Sequence, residues 1–202
     1  MSRDLLQQLM DLMPPHEGAG DVVDWGLAEA EYGTAFPRDY RGFVEQYGAG
    51  TISEDVTVSI PRPRGARAEP LTLQRLPEDT ISAPSMQGWQ DPAQRASYRL
   101  EDMLLWGQAA GADALCWVTT GDSPDDWPIA VWKRQSEGWA VYECGIVEFL
   151  LRVLRAEFDR CPLSDRSVWG DPTPRFLNFR EEERLVEAGI DPWTGDRLPD
   201  FT

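Results

Sequence analysis

Three aspartates, Asp122, Asp125 and Asp126, fall within the eight residues Gly-Asp-Ser-Pro-Asp-Asp-Trp-Pro. Carboxylates at that spacing could hold a calcium ion or face a basic partner. The calcium-loop pattern Asp-x-Asp-x-Asp-Gly is absent, because Pro124 stands where the second ligand belongs. That leaves a solvated turn or a partner-contact loop, and no metal is expected. The one histidine, His16, lies between Pro14-Pro15 and Gly18, a loop setting that offers no catalytic neighbours. Cys116, Cys144 and Cys161 make an odd set without Cys-x-x-Cys spacing, which opposes both a disulfide framework and a zinc site. Cys116 and Cys144 lie in or beside strand-like segments and read as small buried hydrophobes. The adjacent pair Glu101-Asp102 would point to opposite faces of a strand, a poor arrangement for shared proton transfer. With no Gly-x-Gly-x-x-Gly and no P-loop, the chain is expected to be no enzyme and to carry no cofactor.

The charge balance narrows the partners. Among 202 residues, 35 acidic side chains oppose 19 basic ones, a net charge of −16. A protein held to nucleic acid by phosphate contacts is not expected on that balance. No apolar run approaches the roughly 20 residues of a membrane helix, and nothing near the start reads as a secretory signal. A cytoplasmic, soluble chain is therefore expected. With 42% hydrophobic residues and nine tryptophans, it has ample material for a core. Two explanations of the acidity stay open: solubility, and complementarity to a basic partner.

The elements that must position these residues can be read from periodicity. Leu5, Leu6, Leu9, Met10 and Met13 predict a helix over 3–13, stopped by Pro14-Pro15. Asp24 caps a second helix that runs to Tyr32 and stops at Gly33. Tyr40, Phe43, Val44 and Tyr47 line a third, with Pro37 at its first position and Gly48 at its end. Val56, Val58 and Ile60 then alternate as in a strand. Residues 61–70 form a polar loop with a basic cluster at Arg62, Arg64 and Arg67, and 77–99 read as a long connection with one helical turn at most. From Met103 the segments 104–107, 114–119, 128–133 and 139–143 predict an antiparallel meander, with Ile129–Trp132 buried on both faces. Val147, Leu150, Leu151, Leu154 and Phe158 predict a closing helix, and a short helix is expected over 180–188.

Several of these residues carry a family resemblance. Trp25-x-x-x-Glu29, then Phe36-Pro37-x-x-Tyr40-x-x-Phe43, then Tyr47-Gly48-x-Gly50, resembles the opening signature of the SUKH superfamily. That superfamily includes the yeast cell-wall assembly regulator and many bacterial immunity proteins. Leu105-Trp106-Gly107, Trp117, Trp132 and the passage from Trp139 to Leu151, with Glu148-Phe149-Leu150, are similar to its later strands and closing helix. The resemblance covers about residues 24–158. It departs from the family at Phe36, where Leu is usual, in the long polar insert 61–99, and in the tail after Cys161.

The resemblance implies an α+β domain over 1–162, with N-terminal helices packed on a twisted, mainly antiparallel sheet beside the closing helix. The order of elements read from periodicity agrees with it. Residues 163–202 would be an extension, either docked or mobile. Tyr40, Phe43, Tyr47, Trp117 and Val131 are expected in the core. The resemblance further implies a non-enzymatic protein-binding domain, either an immunity protein neutralising a bacterial toxin or an intracellular regulatory or scaffold module. The expected partner is a protein, a basic toxin domain in the first case, with no nucleic acid, membrane or metal involved. Trp89, Trp106 and Trp127, taken as exposed anchors, and Asp122, Asp125 and Asp126 are the expected contact residues.

Overall fold

The computed structural model describes residues 2–61, 73–136 and 138–199. The basic cluster Arg62, Arg64 and Arg67 lies outside the described residues. The chain opens with three helices, α1 (Ser2–Leu12), α2 (Trp25–Tyr32) and α3 (Arg38–Gln46). Strands β1 (Gly50–Ile52), β2 (Val56–Val58) and β3 (Gln74–Arg75) follow, then the short helices α4 (Glu78–Ser82) and α5 (Pro92–Ser97). The meander is β4 (Met103–Ala109), β5 (Ala114–Val118), β6 (Ile129–Lys133) and β7 (Gly138–Tyr142). Helix α6 (Ile146–Leu154), strand β8 (Phe176–Asn178) and helix α7 (Phe179–Glu187) complete the chain's elements. The eight strands form one antiparallel sheet in the order β7-β6-β5-β4-β2-β1-β8, with β3 also on β4. This is the expected α+β architecture.

Successive side chains of a strand point to opposite faces, and here both faces are buried. Leu104, Trp106, Leu115, Trp117, Ile129 and Val131 share one apolar cluster with α1, α3 and α6. Met103, Cys116, Val118, Ala130, Trp139 and Val141 form a second with Leu76, Met86 and Leu100. The second cluster corrects the reading of 77–99 as a bare connection. That stretch folds as α4, a 3-10 turn at 84–87 and α5, and it lays Met86, Trp89 and Tyr98 over the sheet's second face. Its few apolar residues are spaced too irregularly to announce an element, yet they suffice to cover a strand face.

The motif residues have structural work. The buried phenols of Tyr40 and Tyr47 donate to Ser59 O (2.6 Å) and Met13 O (2.7 Å), so neither hydroxyl is left unsatisfied. Gly48 ends α3 at φ +76°, and a Cβ on Gly50 would stand 2.1 Å from Leu177 O of the adjacent strand. That close approach belongs to β8, which sequence reading missed. Part of the extension meets the sheet: β8 pairs with β1, and Leu163, Val168 and Phe176 are buried in the main core. His16, expected in a loop without catalytic neighbours, accepts the Asn178 N–H of β8 at Nε2 (3.2 Å).

Two aspartates knit the extension to the strand turns. Asp113 accepts from Ser164 N (2.5 Å), Ser164 Oγ (2.6 Å) and Arg134 N (2.8 Å). Asp55 accepts from Ala110 N (2.8 Å) and Ser167 Oγ (2.6 Å). Both carboxylates are buried, and their donors replace the water they gave up.

Candidate functional site

Where α3 and α6 both begin, first-turn amides need acceptors. Asp125, from the 3-10 turn 124–126, accepts Arg38 N (2.7 Å) and Arg38 Nε (2.5 Å) and thereby caps α3. Asp39 accepts Val147 N (3.2 Å) at the start of α6 and Tyr40 N (2.7 Å) on its own helix. The approach is close: a Cβ on Gly145 would sit 2.4 Å from Asp39 Oδ2. Negative charge at both N-termini also complements the helix dipoles. Burial pushes the Asp39 carboxyl above its ordinary range, against the two amide donors, and the charge of Asp125 adds to the rise.

Between these helix starts lies a hollow of about 320 Å³, lined by Leu5, Arg38, Asp39, Asp125, Asp126, Gly145, Val147 and Glu148. Four carboxylates thus face one guanidinium. Glu148 also lies 3.7 Å from Arg152, one turn on, and Asp126 is exposed. The arrangement suits the cationic side chains of a protein partner. Among the described residues, no group of three or more His, Cys, Asp or Glu could hold a metal ion.

The structure divides the six expected contact residues. Asp125 and Asp126 meet in the hollow, while Asp122 is exposed on the same loop but does not line it. Trp106 and Trp127 are not exposed anchors. They are 0% and 4% exposed, and both lie in the main core with Trp117 between them at ring distances of 6.0 and 6.5 Å. Strand alternation turns Trp106 toward the helices, and the turn before β6 folds Trp127 under itself. Trp89 is half-buried elsewhere, bridged to Trp139 on the edge strand β7. Asp39 and Glu148 were missed. Their signal was an acidic residue in the first turn of each predicted helix, which reads equally well as ordinary capping.

A second hollow, of about 430 Å³, is lined by Asp21, Val22, Val23, Asp24, Leu27, Ala28, Glu31, Ile60, Pro61 and Arg180. Val22 is fully exposed and Leu27 half-exposed at its mouth, so apolar surface is bordered by carboxylates. Arg180 pairs with Asp21 there. Nothing in the sequence pointed to this place, because residues 18–24 have no periodicity.

A family profile described as SMI1-KNR4 cell-wall, SUKH_6, matches residues 24–145. The chain belongs to the SUKH family. The SUKH match opens at Asp24, the N-cap of α2, and closes at Gly145, the N-cap of α6. It therefore takes in α2, α3, the strands β1–β7 and the covering layer, and includes Asp39, Asp125, Asp126 and Gly145 of the acidic hollow. Helix α1 and strand β8 stand outside the SUKH match. No curated protein and no solved structure matched the chain significantly. Among the described residues, no helix is long and apolar enough to cross a membrane.

Proposed function

We propose that this SUKH protein is a non-enzymatic, cytoplasmic binding protein, an immunity protein that neutralises a cognate bacterial toxin by direct contact. The observation that carries this reading is the hollow in which Asp39, Asp125, Asp126 and Glu148 surround about 320 Å³. On a chain of net charge −16, such a hollow receives Lys or Arg side chains of a basic toxin domain and steers its approach. Asp126 and Glu148 make the direct contacts. Asp39 and Asp125 hold the two helix starts around them.

Co-expression with any toxin encoded beside this gene tests the reading. The full chain should rescue growth, and Asp126→Lys with Glu148→Lys should abolish rescue while the protein stays folded. Binding to the purified toxin should weaken about tenfold or more in the double variant and fall as salt rises. Unchanged affinity in the folded variant would move the interface elsewhere. Failure to rescue from any neighbouring toxin would favour a second reading, an intracellular regulatory or scaffold module. The cell-wall wording of the matching family description supports that alternative.

A further inference from the structure

The one lysine of this acidic chain, Lys133, stands at the end of β6 with two arginines around one depression. The depression, of about 330 Å³, is lined by Lys133, Gln135, Asp159, Arg160, Cys161, Leu163, Ser164 and Arg166. Seven arginines, Arg38, Arg41, Arg99, Arg152, Arg155, Arg180 and Arg184, lie within 4.0 Å of a carboxylate, whereas among the described residues Arg75, Arg95, Arg134, Arg175 and Arg197 do not, and none of these five lines this depression. Among the described residues, Lys133, Arg160 and Arg166 have no such ion pair. Lys133 is half-buried, and its ammonium donates only to the carbonyl of Cys161 (3.1 Å). A neutral carbonyl leaves most of that charge uncompensated, and a half-buried cation gains more from an anion than a fully solvated one does.

The cations converge on one place. Lys133, Arg160 and Arg166 all line it, and although burial raises the Cys161 thiol above its ordinary range, the Leu163 amide, Lys133 and Arg166 pull it back. The loop is held firmly, because Ser164 is fastened to the buried Asp113 through N and Oγ, and Gln135 N donates to Ser164 Oγ (3.1 Å). Asp159 on the rim and Asp165 beside it oppose an anion. Asp113 opposes it too, since its charge raises the Cys161 thiol, although its oxygens are engaged by amide and hydroxyl donors. More distant carboxylates are screened beyond about 8 Å at physiological salt.

We propose that the depression lined by Lys133, Arg160 and Arg166 is an anion site that takes a phosphate group. One compact ammonium and two planar guanidinium groups line it. That set matches the terminal oxygens of a tetrahedral oxyanion better than the flat edge of a carboxylate. The volume exceeds that of phosphate alone and leaves room for the group of a phosphate ester. The site lies apart from the acidic hollow and shares no lining residue with it, so it stands or falls independently of the immunity reading.

Cys161 provides a local reporter, since it is half-buried at the site whereas Cys116 and Cys144 are buried. Full-length protein is alkylated with iodoacetamide, and modification of Cys161 is followed by mass spectrometry against rising inorganic phosphate. Phosphate should slow the reaction saturably, and acetate at matched ionic strength should not. Arg166→Gln, an exposed position, and Lys133→Met should each raise the half-effective phosphate concentration about fivefold or more. Glycerol phosphate protecting at lower concentration than inorganic phosphate would assign the remaining volume to an ester group, and equal protection would assign the free ion. Absence of saturation, equal protection by acetate, or an unchanged midpoint in folded Arg166→Gln would overturn the proposal.

Discussion

Each of the chain's five tyrosines is pushed to a higher pKa, and the causes differ. Burial dominates at Tyr32, Tyr40, Tyr47 and Tyr142, the last reaching about 12. At Tyr98 the hydrogen bond to Glu143 dominates and also brings it to about 12. An unfolded tyrosine ionises near pH 10. A folded-state pKa above that value means that the stabilisation is complete below the unfolded pKa. It is lost as pH rises from there through the folded pKa. The native protein should therefore show less tyrosinate absorbance than the unfolded chain as pH passes about 10, and its urea midpoint should fall above that pH. Native and urea-unfolded protein titrating alike near pH 10 would contradict the burial of Tyr40, Tyr47 and Tyr142. The core role of Tyr40 and Tyr47 was legible in their helical spacing. Their acceptors, Ser59 O and Met13 O, were not, since carbonyl direction leaves no mark in composition.

At the scale of elements, the sequence carried helices well where a residue both continues a face and announces a stop. Asp24 and Gly33 bracket α2 as their chemistry requires, with Asp24 Oδ1 accepting Leu27 N (3.0 Å) and Gly33 at φ +69°. The end of α6 was read too far, to Phe158, because an alanine conceals the stop. Ala156 turns left-handed at φ +54°, and Phe158 comes back to meet Tyr142 and Phe149 at ring distances of 5.0 and 5.6 Å. Alanine favours helix, so nothing local marked the reversal. Ala156→Gly should remove the left-handed strain and raise stability by about 0.5–1 kcal/mol, measured by chemical denaturation. Asp113→Ala should do the opposite. It strips the acceptor from three donors and should cost about 3 kcal/mol. Strands β1 and β8, three residues each, were missed because all their residues are buried and none alternates, unlike β2.

On the scale of the whole molecule, β7 and β1 each have their outer edge covered. β7 is edged by the covering layer, through Gln90 N to Trp139 O (2.8 Å) and Trp139 N to Gly88 O (2.9 Å). β1 is edged by β8. A chain stopped after Pro162 would uncover β1 and withdraw Val168, Phe176 and Leu177 from the core. It should be recovered as aggregate or as an unfolded chain, judged by solubility and size-exclusion chromatography, because an open edge beside an apolar gap invites pairing between chains. A soluble, cooperatively unfolding product would show that 163–199 is dispensable. The candidate site was partly legible at this scale. The acidity and the aspartate loop were visible, but the meeting of Asp39 with Asp125 and Glu148 depends on two helix starts 108 residues apart in the chain.

The clasp at β8 has a consequence for how the protein is made. His16 meets Asn178, and Asp21 meets both Asn178 and Arg180, across more than 150 residues of intervening chain. Contacts of such sequence distance come late and slow the search for the native state. During synthesis, α3 and β1 emerge long before the strand that seals them. The nascent chain must therefore wait with that margin uncovered, and shielding by a chaperone matters most in the interval before residue 180 leaves the ribosome.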